Sequence, residues 1–466
     1  MRPSSGKERN VNQPDAQRLD VAIVGAGPAA LYAAAELVKL GDPPVYVNLF
    51  DRLPTLGGLV RAGVAPDHAD RRLVIDTYQR QARSGGRLRF HGNVEIGRDI
   101  THAELLEHHD AVIYAVGASA SQALNVPGKH LPGCHESSRF VAWYNGHPDA
   151  ADLDVSFDCE RAVVIGNGNV ALDVARILLK SGSALASSDI AEHAREALAH
   201  SRIREVCVVG RRGPAQAAFT HPELRELGEL DDVSVVVDPD DLSGARWDQG
   251  NFDATLKRAT LEAYSKSGDE TRARRLVLRF LQSPIEVLGR GRVEGIRLVR
   301  NQLVASEDGG LKAVASQQTE DLAAGLVVHA IGYRGKPLAD LPFDDGRGIV
   351  PNRDGRVLVL DDDVMPGAYV VGWIKRGPRG VIGSNKACAR QTVRALVEDA
   401  AAGRLAQPAK PASAIEALLR ERQCKVVDFQ GWRNIDRHER AHARDGQPRN
   451  KLVRLDDMLR VGASGP

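Results

Sequence analysis

The chain is poor in cysteine and aromatic residues and carries almost no net charge. Its five cysteines (Cys134, Cys159, Cys207, Cys388 and Cys424) are scattered over 466 residues, and no two form a C-x-x-C pair. An odd, dispersed set excludes a disulfide framework, a zinc ribbon and a redox dithiol. It indicates a reducing compartment, so a cytoplasmic location is expected. The formal net charge is +1, which removes any global field toward nucleic acid or an anionic membrane. No apolar run reaches the roughly 18 residues that a membrane helix needs, so no span is expected. Residues 1–18 lack the apolar core of a secretory signal, and 1–19 read as a flexible tail. No metal-binding set is expected. What is present, 43% hydrophobic and 26% charged residues, is ordinary for a globular protein, and the length allows two or three domains.

The rest of the chain is organised around Val21–Asp51. Val21–Val24 reads as a buried parallel strand, followed by Gly25, Gly27 and Ala30 in the pattern G-x-G-x-x-A. Pro28–Leu40 reads as an Ala-rich helix, and Val45–Phe50 as a second strand ending at Asp51. This is a dinucleotide fingerprint. Gly25 permits the tight turn, Gly27 lets backbone approach a pyrophosphate, and Ala30 lets helix and strand pack closely. Asp51, about 20 residues on, is placed to accept from a ribose hydroxyl. The loop RLPTLGGLVRAGVAPDHADRR follows, with glycines that let backbone cross close to a ligand. Residues 73–82 read as a helix, Arg87–Val94 as strand-like, and Ala111–Val116 as a buried strand ending at Gly117.

A second fingerprint begins at Arg161. The strand Ala162–Ile165 leads into Gly166, Gly168 and Ala171 and then a helix, an internal repeat of function. Its next strand, Glu205–Gly210, is delayed by an inserted helix within Ser181–Ser201, and ends not in an acid but in Arg211-Arg212. Arginines there suit a 2′-phosphate by charge and by forked hydrogen bonds, so this site should prefer NADP over NAD. Strand-like runs at Val233–Val237, Leu276–Phe280, Ile285–Leu288 and Val293–Val304 fit a mixed sheet completing this domain. Leu326–Ile331 leads into Gly332, and Ala368–Trp373 is a late strand before a Gly-rich turn that offers backbone amides to a ligand. The fold expected is α/β: two Rossmann-like three-layer domains, the second inserted in the first. The chain would leave at Gly117 and return near Gly332.

The stretches GAGPAALYAAAELVK, GLVRAGVAPDH, VVIGNGNVALDVARILL, VVGRRGPAQAAFTHPELREL and YVVGWIKRGPRGVIGSNK resemble the adrenodoxin reductase family. These are ferredoxin–NADP reductases built on the glutathione-reductase fold, and the likeness is greatest to actinobacterial members. The matches run in order over nearly the whole chain, including the C-terminal arm. The resemblance implies FAD in a first domain (20–120 and 334–466, with the arm) and NADP in a second (121–333). Hydride would pass from NADPH to the flavin N5, and single electrons from there to a ferredoxin. The implied FAD set joins Gly25, Gly27, Pro28, Ala29 and Ala30 to Asp51, Gly58, Leu59 and Val94, to Ala115 and Gly117, and to Gly372, Trp373, Gly380, Val381 and Ile382. The implied NADP set is Gly166, Asn167, Gly168, Asn169, Val170, Arg211, Arg212 and Glu223, with Gly380 again. His68 and Glu226 match positions near the flavin or a proton path, and are the catalytic candidates. On the residues alone, His68 reads equally as a loop-fixing hydrogen bonder.

Three departures from the family stand out: Asp51 where many relatives carry Glu, Gly57 at an often aromatic position, and Ser121-Gln122 where Asp-Arg is common. An NADPH-dependent flavoprotein reductase or oxygenase with another acceptor is the alternative reading, and the missing dithiol speaks against disulfide reduction. Docking of an acidic ferredoxin would use a basic patch, with Arg52, Arg61, Arg71, Arg72, Lys375, Arg376 and Arg379 as candidates. A monomer is expected.

Overall fold

The computed structural model describes residues 18–68, 75, 86–248, 250–267, 272–307, 309–359 and 363–463. The expected tail, most of the expected helix at 73–82, and Arg71 and Arg72 lie outside these. The apolar runs become strands β1 (Leu19–Val24), β2 (Val45–Asp51), β3 (Leu88–Gly92) and β4 (Ala111–Tyr114). The chain then leaves through β5 (Ala120–Ser121). It builds β6 (Cys134–Glu136), β7 (Arg161–Ile165), β8 (Glu205–Val209), β9 (Val233–Val237), β10 (Arg274–Arg279), β11 (Gln282–Leu288), β12 (Gly295–Ala305), β13 (Leu311–Ala323) and β14 (Leu326–His329). It returns through β15 (Tyr333–Arg334) to β16 (Asn352–Arg353), β17 (Arg356–Leu358) and β18 (Val364–Val370).

Two sheets result, one nested in the other. The first runs β16-β17-β18-β4-β1-β2-β3, parallel from β18 to β3; the second runs β6-β14-β7-β8-β10-β9 and is parallel throughout. The exit and return strands pair with each other, β5 against β15, and the Gln122 amide donates to the Gly332 oxygen at 2.8 Å. The expected mixed sheet is not what forms. β9 and β10 join the parallel sheet, while β11-β12-β13 makes a separate antiparallel sheet.

Alternation along the strands sorts the core into layers. Val21 and Ile23 of β1 pack with the helices Pro28–Val38 and Ser384–Ala401, whereas Ala22 and Val24 pack on the opposite face with Phe50, Val112 and Tyr114. In the second sheet, Ala162 and Val164 face the helices Ser137–Tyr144 and Asn169–Leu179. Val163 and Ile165 face Ile296, Leu298 and Leu322 of the antiparallel sheet. That sheet therefore serves as the third layer of the second unit. In the first sheet β1 lies between β4 and β2, and in the second β7 lies between β14 and β8. In doubly wound sheets, the crevice beyond the C-terminal ends at such a switch point is where ligands bind.

Candidate functional site

The two fingerprints fold alike. The Gly25 amide donates to the Phe50 oxygen at 2.7 Å, and the Gly166 amide to the Val209 oxygen at 2.8 Å, so each first glycine is tied to the neighbouring strand end. Both have positive φ, +102° and +129°. A Cβ would stand 2.7 Å from the Ala115 oxygen at Gly25 and 2.2 Å from the Ala330 oxygen at Gly166. Only glycine fits at these two turns. The second glycines, Gly27 and Gly168, serve a different need. Their φ values, −80° and −100°, are ordinary, and a Cβ on Gly168 would meet nothing within 4 Å. Ala30 and Ala171 are fully buried at 0% exposure, each helix seated on its sheet.

The helices that start here, Pro28–Val38 and Asn169–Leu179, have no side-chain cap. Some helices elsewhere carry a cap, with Thr101 and Glu104 forming a reciprocal capping box and Asn251 and Asp428 capping theirs, while others, such as Glu192–Ala199, do not. First-turn amides without a capping side chain, opening onto unobstructed glycine backbone, fit a pyrophosphate. Pro28 at the first turn removes one donor that the helix would not use.

Around the first turn the candidate residues converge. The Asp51 carboxylate accepts from the Ala26 amide at 2.7 Å and the Leu53 amide at 2.8 Å. Burial pushes this carboxyl above its ordinary range, against the pull of the two amides. Each oxygen keeps a lone pair for a hydroxyl. The Val94 amide donates to the Asp51 main-chain oxygen at 2.9 Å, and Val94 is buried. The Gly-rich loop does cross the turn: the Gly57 amide donates to the Ala26 oxygen at 2.9 Å, and a Cβ on Gly58 would lie 2.9 Å from the Gly27 Cα. Ala115, which donates to the Val24 oxygen at 2.7 Å, walls the turn, and Gly117 with φ +72° follows it. Gly372 closes on the same helix start, where a Cβ would be 2.6 Å from that of Ala29. Trp373 lies beside it with its indole nitrogen buried and unbonded among the described residues, its ring 6.1 Å from that of Tyr333. Leu59 and Val381 present apolar surface at 37% and 68% exposure, and Val381 sits with Gly380 and Ile382 in the turn ahead of the helix Ser384–Ala401. Cradle, apolar surfaces and unbonded indole fit a flavin nucleotide.

At the second turn the Asn167 oxygen accepts from the Ala218 amide at 3.0 Å and the Phe219 amide at 2.9 Å. Asn169 takes the Thr220 amide at 2.8 Å. Glu223 is buried and bonded by the Thr220 hydroxyl, so it steadies this loop from inside. Val170 is half-buried at the helix start, and the Asn167 side-chain Nδ2 is buried without a bond among the described residues. Arg211 is exposed and Arg212 half-buried just past β8, and among the described residues no carboxylate engages either guanidinium. Two uncommitted arginines beside an open turn fit a phosphorylated dinucleotide.

The units meet at His68 and Glu226. The His68 Nε2 lies 2.8 Å from the Glu226 carboxylate, although 158 positions separate them in sequence. Around them stand residues that the sequence reading did not assign a role. Arg176 binds Asp67 and Asp173 and lies 3.7 Å from Glu226, and Lys180 donates to Asp67 at 2.6 Å. Burial would raise the Asp67 carboxyl, but Arg176 and Lys180 outweigh it and hold it low. Burial raises that of Asp173, and Arg176 offsets this only in part. The available signal was a charged pair, Asp173 and Arg176, on an otherwise apolar helix.

The basic patch does not form as expected. Arg61 is buried on Glu439. Lys375 is buried on Gln391 and Thr392, and burial lowers its pKa. Arg52 pairs with Asp149, and Arg376 reaches across its own turn to Asn385. Arg379 alone of the described set is exposed without such a side-chain partner. Apolar burial around the loops drew in cations that sequence proximity had placed at the surface. Gln122 is exposed beside Gly332, at the junction of the two units.

Residues 19–213 match the pyridine nucleotide-disulphide oxidoreductase family. NADPH-ferredoxin reductase FprA of Mycobacterium tuberculosis is 45% identical over 455 residues, spanning 95% of this chain and 98% of that protein. The mitochondrial NADPH:adrenodoxin oxidoreductase of Homo sapiens is 41% identical, spanning 95% and 91%. A solved structure of Mycobacterium tuberculosis FprA in complex with NADPH aligns with TM-score 0.91 at 44% identity, covering 96% of this chain and 100% of that one.

Proposed function

The chain belongs to the family of ferredoxin–NADP reductases that includes the adrenodoxin oxidoreductases, and on that basis we propose that it is an FAD-dependent ferredoxin–NADP reductase. One observation carries the reading: two uncapped fingerprint turns, the second flanked by Arg211 and Arg212, on units that touch through His68 and Glu226. FAD bound at the first turn would take hydride from NADPH bound at the second and pass electrons singly to a ferredoxin.

The roles of the chain's own residues follow from their surroundings. The 20–120 and 334–466 segments hold FAD, and 121–333 hold NADP; the β5–β15 pair at the junction of these segments supports that division. Gly25, Gly27 and the first amides of the helix Pro28–Val38 receive the FAD pyrophosphate, and Asp51 its ribose. Gly166, Gly168 and the amides of Asn169 and Val170 receive that of NADP, and the two arginines select the 2′-phosphate. Asp67, Asp173 and Glu226 set three negative charges against two positive ones, Arg176 and Lys180. His68, with Nε2 2.8 Å from Glu226 and Nδ1 4.0 Å from Asp173, is the imidazole placed to pass a proton at this junction. All five cysteines are free, and Cys388, which accepts from the Gly372 amide at 3.2 Å, has no disulfide partner at the site; this supports a ferredoxin acceptor over a disulfide. Free thiols also support a cytoplasmic location. No helix among the described residues is long and apolar enough to cross a membrane.

The test is NADPH-driven cytochrome c reduction by the purified protein, with and without an added small ferredoxin and beside an NADH control. A large ferredoxin-dependent rate with NADPH is expected. If NADPH bleaches the flavin and ferredoxin adds nothing, the acceptor assignment fails.

A further inference from the structure

The C-terminal arm explains itself through one buried cation. The Lys451 side chain has 0% exposure, and an ammonium out of water is costly unless it is paired and hydrogen-bonded. Its Nζ lies 3.3 Å from the Arg61 main-chain oxygen, 3.3 Å from Asn145 Oδ1 and 3.3 Å from the Asp189 carboxylate. Arg61 belongs to the loop that crosses the first fingerprint. Asn145 and Asp189 belong to the inserted unit, and Lys451 to the arm, so one ammonium joins three distant parts of the chain. Beside it Glu439, also at 0% exposure, takes the Arg61 fork at 2.9 and 2.5 Å, with Arg449 at 3.3 Å and the Leu452 amide at 2.9 Å. Asn145 in turn donates to the Val64 oxygen at 3.1 Å, and the Asp189 amide to the Pro66 oxygen at 3.4 Å, on the stretch that ends in His68. At the rim Arg444 meets Glu192, and Arg454 meets Asp152 at 2.7 Å.

We propose that the arm is a brace between the two nucleotide-binding units, with Lys451 a positioning residue for hydride transfer. The inference rests on the reading that the two turns hold FAD and NADP. The units are joined covalently only through the short β5 and β15 passages, and a narrow two-chain junction of this kind is where one unit turns against another. Beyond the Arg52–Asp149 pair and the rim pairs of the arm, several of the ties between them are contacts onto the loop 61–68. Lys451 and Glu439 clamp that loop from the arm while Asn145 and Asp189 clamp it from the inserted unit. A displacement of about 1 Å between reacting centres lowers a rate by on the order of a hundredfold. Loosening the brace therefore slows hydride transfer while leaving each nucleotide's own cradle intact.

The test is stopped-flow flavin reduction by NADPH in Lys451→Met holoenzyme, read beside FAD content, the Kd of NADP+, and reoxidation of photoreduced flavin by ferricyanide. A limiting reduction rate lowered tenfold or more is expected, with the other three unchanged. An unchanged rate overturns the proposal, as does a loss of NADP+ affinity in step with the rate. Lys451→Met with Asp189→Asn removes both charges and so avoids a buried, unpaired carboxylate. It should stay slow, and recovery to the wild-type rate would mean that the tie does not matter. If neither variant folds, Arg444→Ala with Arg454→Ala, on side chains 56% and 58% exposed, decides: slower reduction supports the brace and an unchanged rate overturns it. If NADPH fails to reduce the wild-type flavin, the functional reading falls instead. The brace is then read from amide exchange at 64–68, which must rise in Lys451→Met; unchanged exchange overturns it.

Discussion

Asn301 donates from its side chain to the main-chain oxygen of Arg211 at 2.8 Å, across 90 positions of sequence. It also donates to the Ser283 hydroxyl at 2.8 Å, and its own amide to the Leu281 oxygen at 2.7 Å. It sits at the irregularity where β12 and β13 change register, and it is 4% exposed. The antiparallel sheet thus holds the arginine loop in place. Asn301→Leu removes the side-chain bond to the part-buried Arg211 main-chain oxygen, at about 0.5–1.5 kcal/mol. The expected result is a raised KM for NADPH with that for NADH little changed, measured by steady-state diaphorase kinetics.

The arginines would act more directly. Arg211→Ala with Arg212→Ala removes charge-assisted bonds worth roughly 1.5–3 kcal/mol each, on the order of tenfold or more in affinity. KM for NADPH should rise far more than that for NADH. Equal effects on the two would sink the phosphate assignment.

The two glycines of the second turn should fail differently. At Gly166 a Cβ would stand 2.2 Å from a backbone oxygen, so Gly166→Ala should lower the melting temperature and reduce soluble yield. At Gly168 a Cβ has open space, so Gly168→Ala should melt like wild type yet bind NADP+ more weakly, as calorimetry would show.

His68→Gln can keep a hydrogen bond to Glu226 but cannot take a proton. If His68 passes a proton at the junction, the rate of flavin reduction should fall and its pH profile should change shape in this variant. If His68 only fixes its loop, rate and profile should both survive.

The first unit also carries a pH response away from the site. His109 Nδ1 donates to the Leu105 oxygen at 2.8 Å, so its Nε2 must accept from Asn48 at 2.9 Å, and Asn48 then accepts from His91 at 3.2 Å. Burial pushes both imidazoles down to about 4. Between about 6.5 and 4 the unfolded chain binds these protons and the folded one does not, so stability falls as pH falls, by about 1.4 kcal/mol per pH unit per histidine. Melting temperature should decline over that window, and His91→Phe should show a shallower decline. Parallel curves would refute the assignment.

Strands β1 and β4 were legible because each carries a short apolar run buried on both faces, Val21–Val24 and Ala111–Tyr114. Strand β13 was not legible: of its 13 residues almost all are exposed or half-buried, so burial imposes no pattern to read. Its neighbours β11 and β12 were seen as strands but assigned to the wrong sheet, since alternation reports a buried face and not the layer that covers it.

The site divides in the same way. Gly25, Gly166 and the Arg211-Arg212 pair were readable because local backbone geometry and local charge demand those residue types at those positions. By itself the sequence determined the two glycine turns and the nesting of one sheet within the other, and it led to the expected NADP preference of the second turn. Only the tertiary structure decided that Arg61 and Lys375 are buried structural cations rather than a docking face, that Arg176 gathers three carboxylates around His68, and that Lys451 joins three segments. A charge is exposed or buried according to what packs against it, and those partners lie up to 390 positions away in the chain.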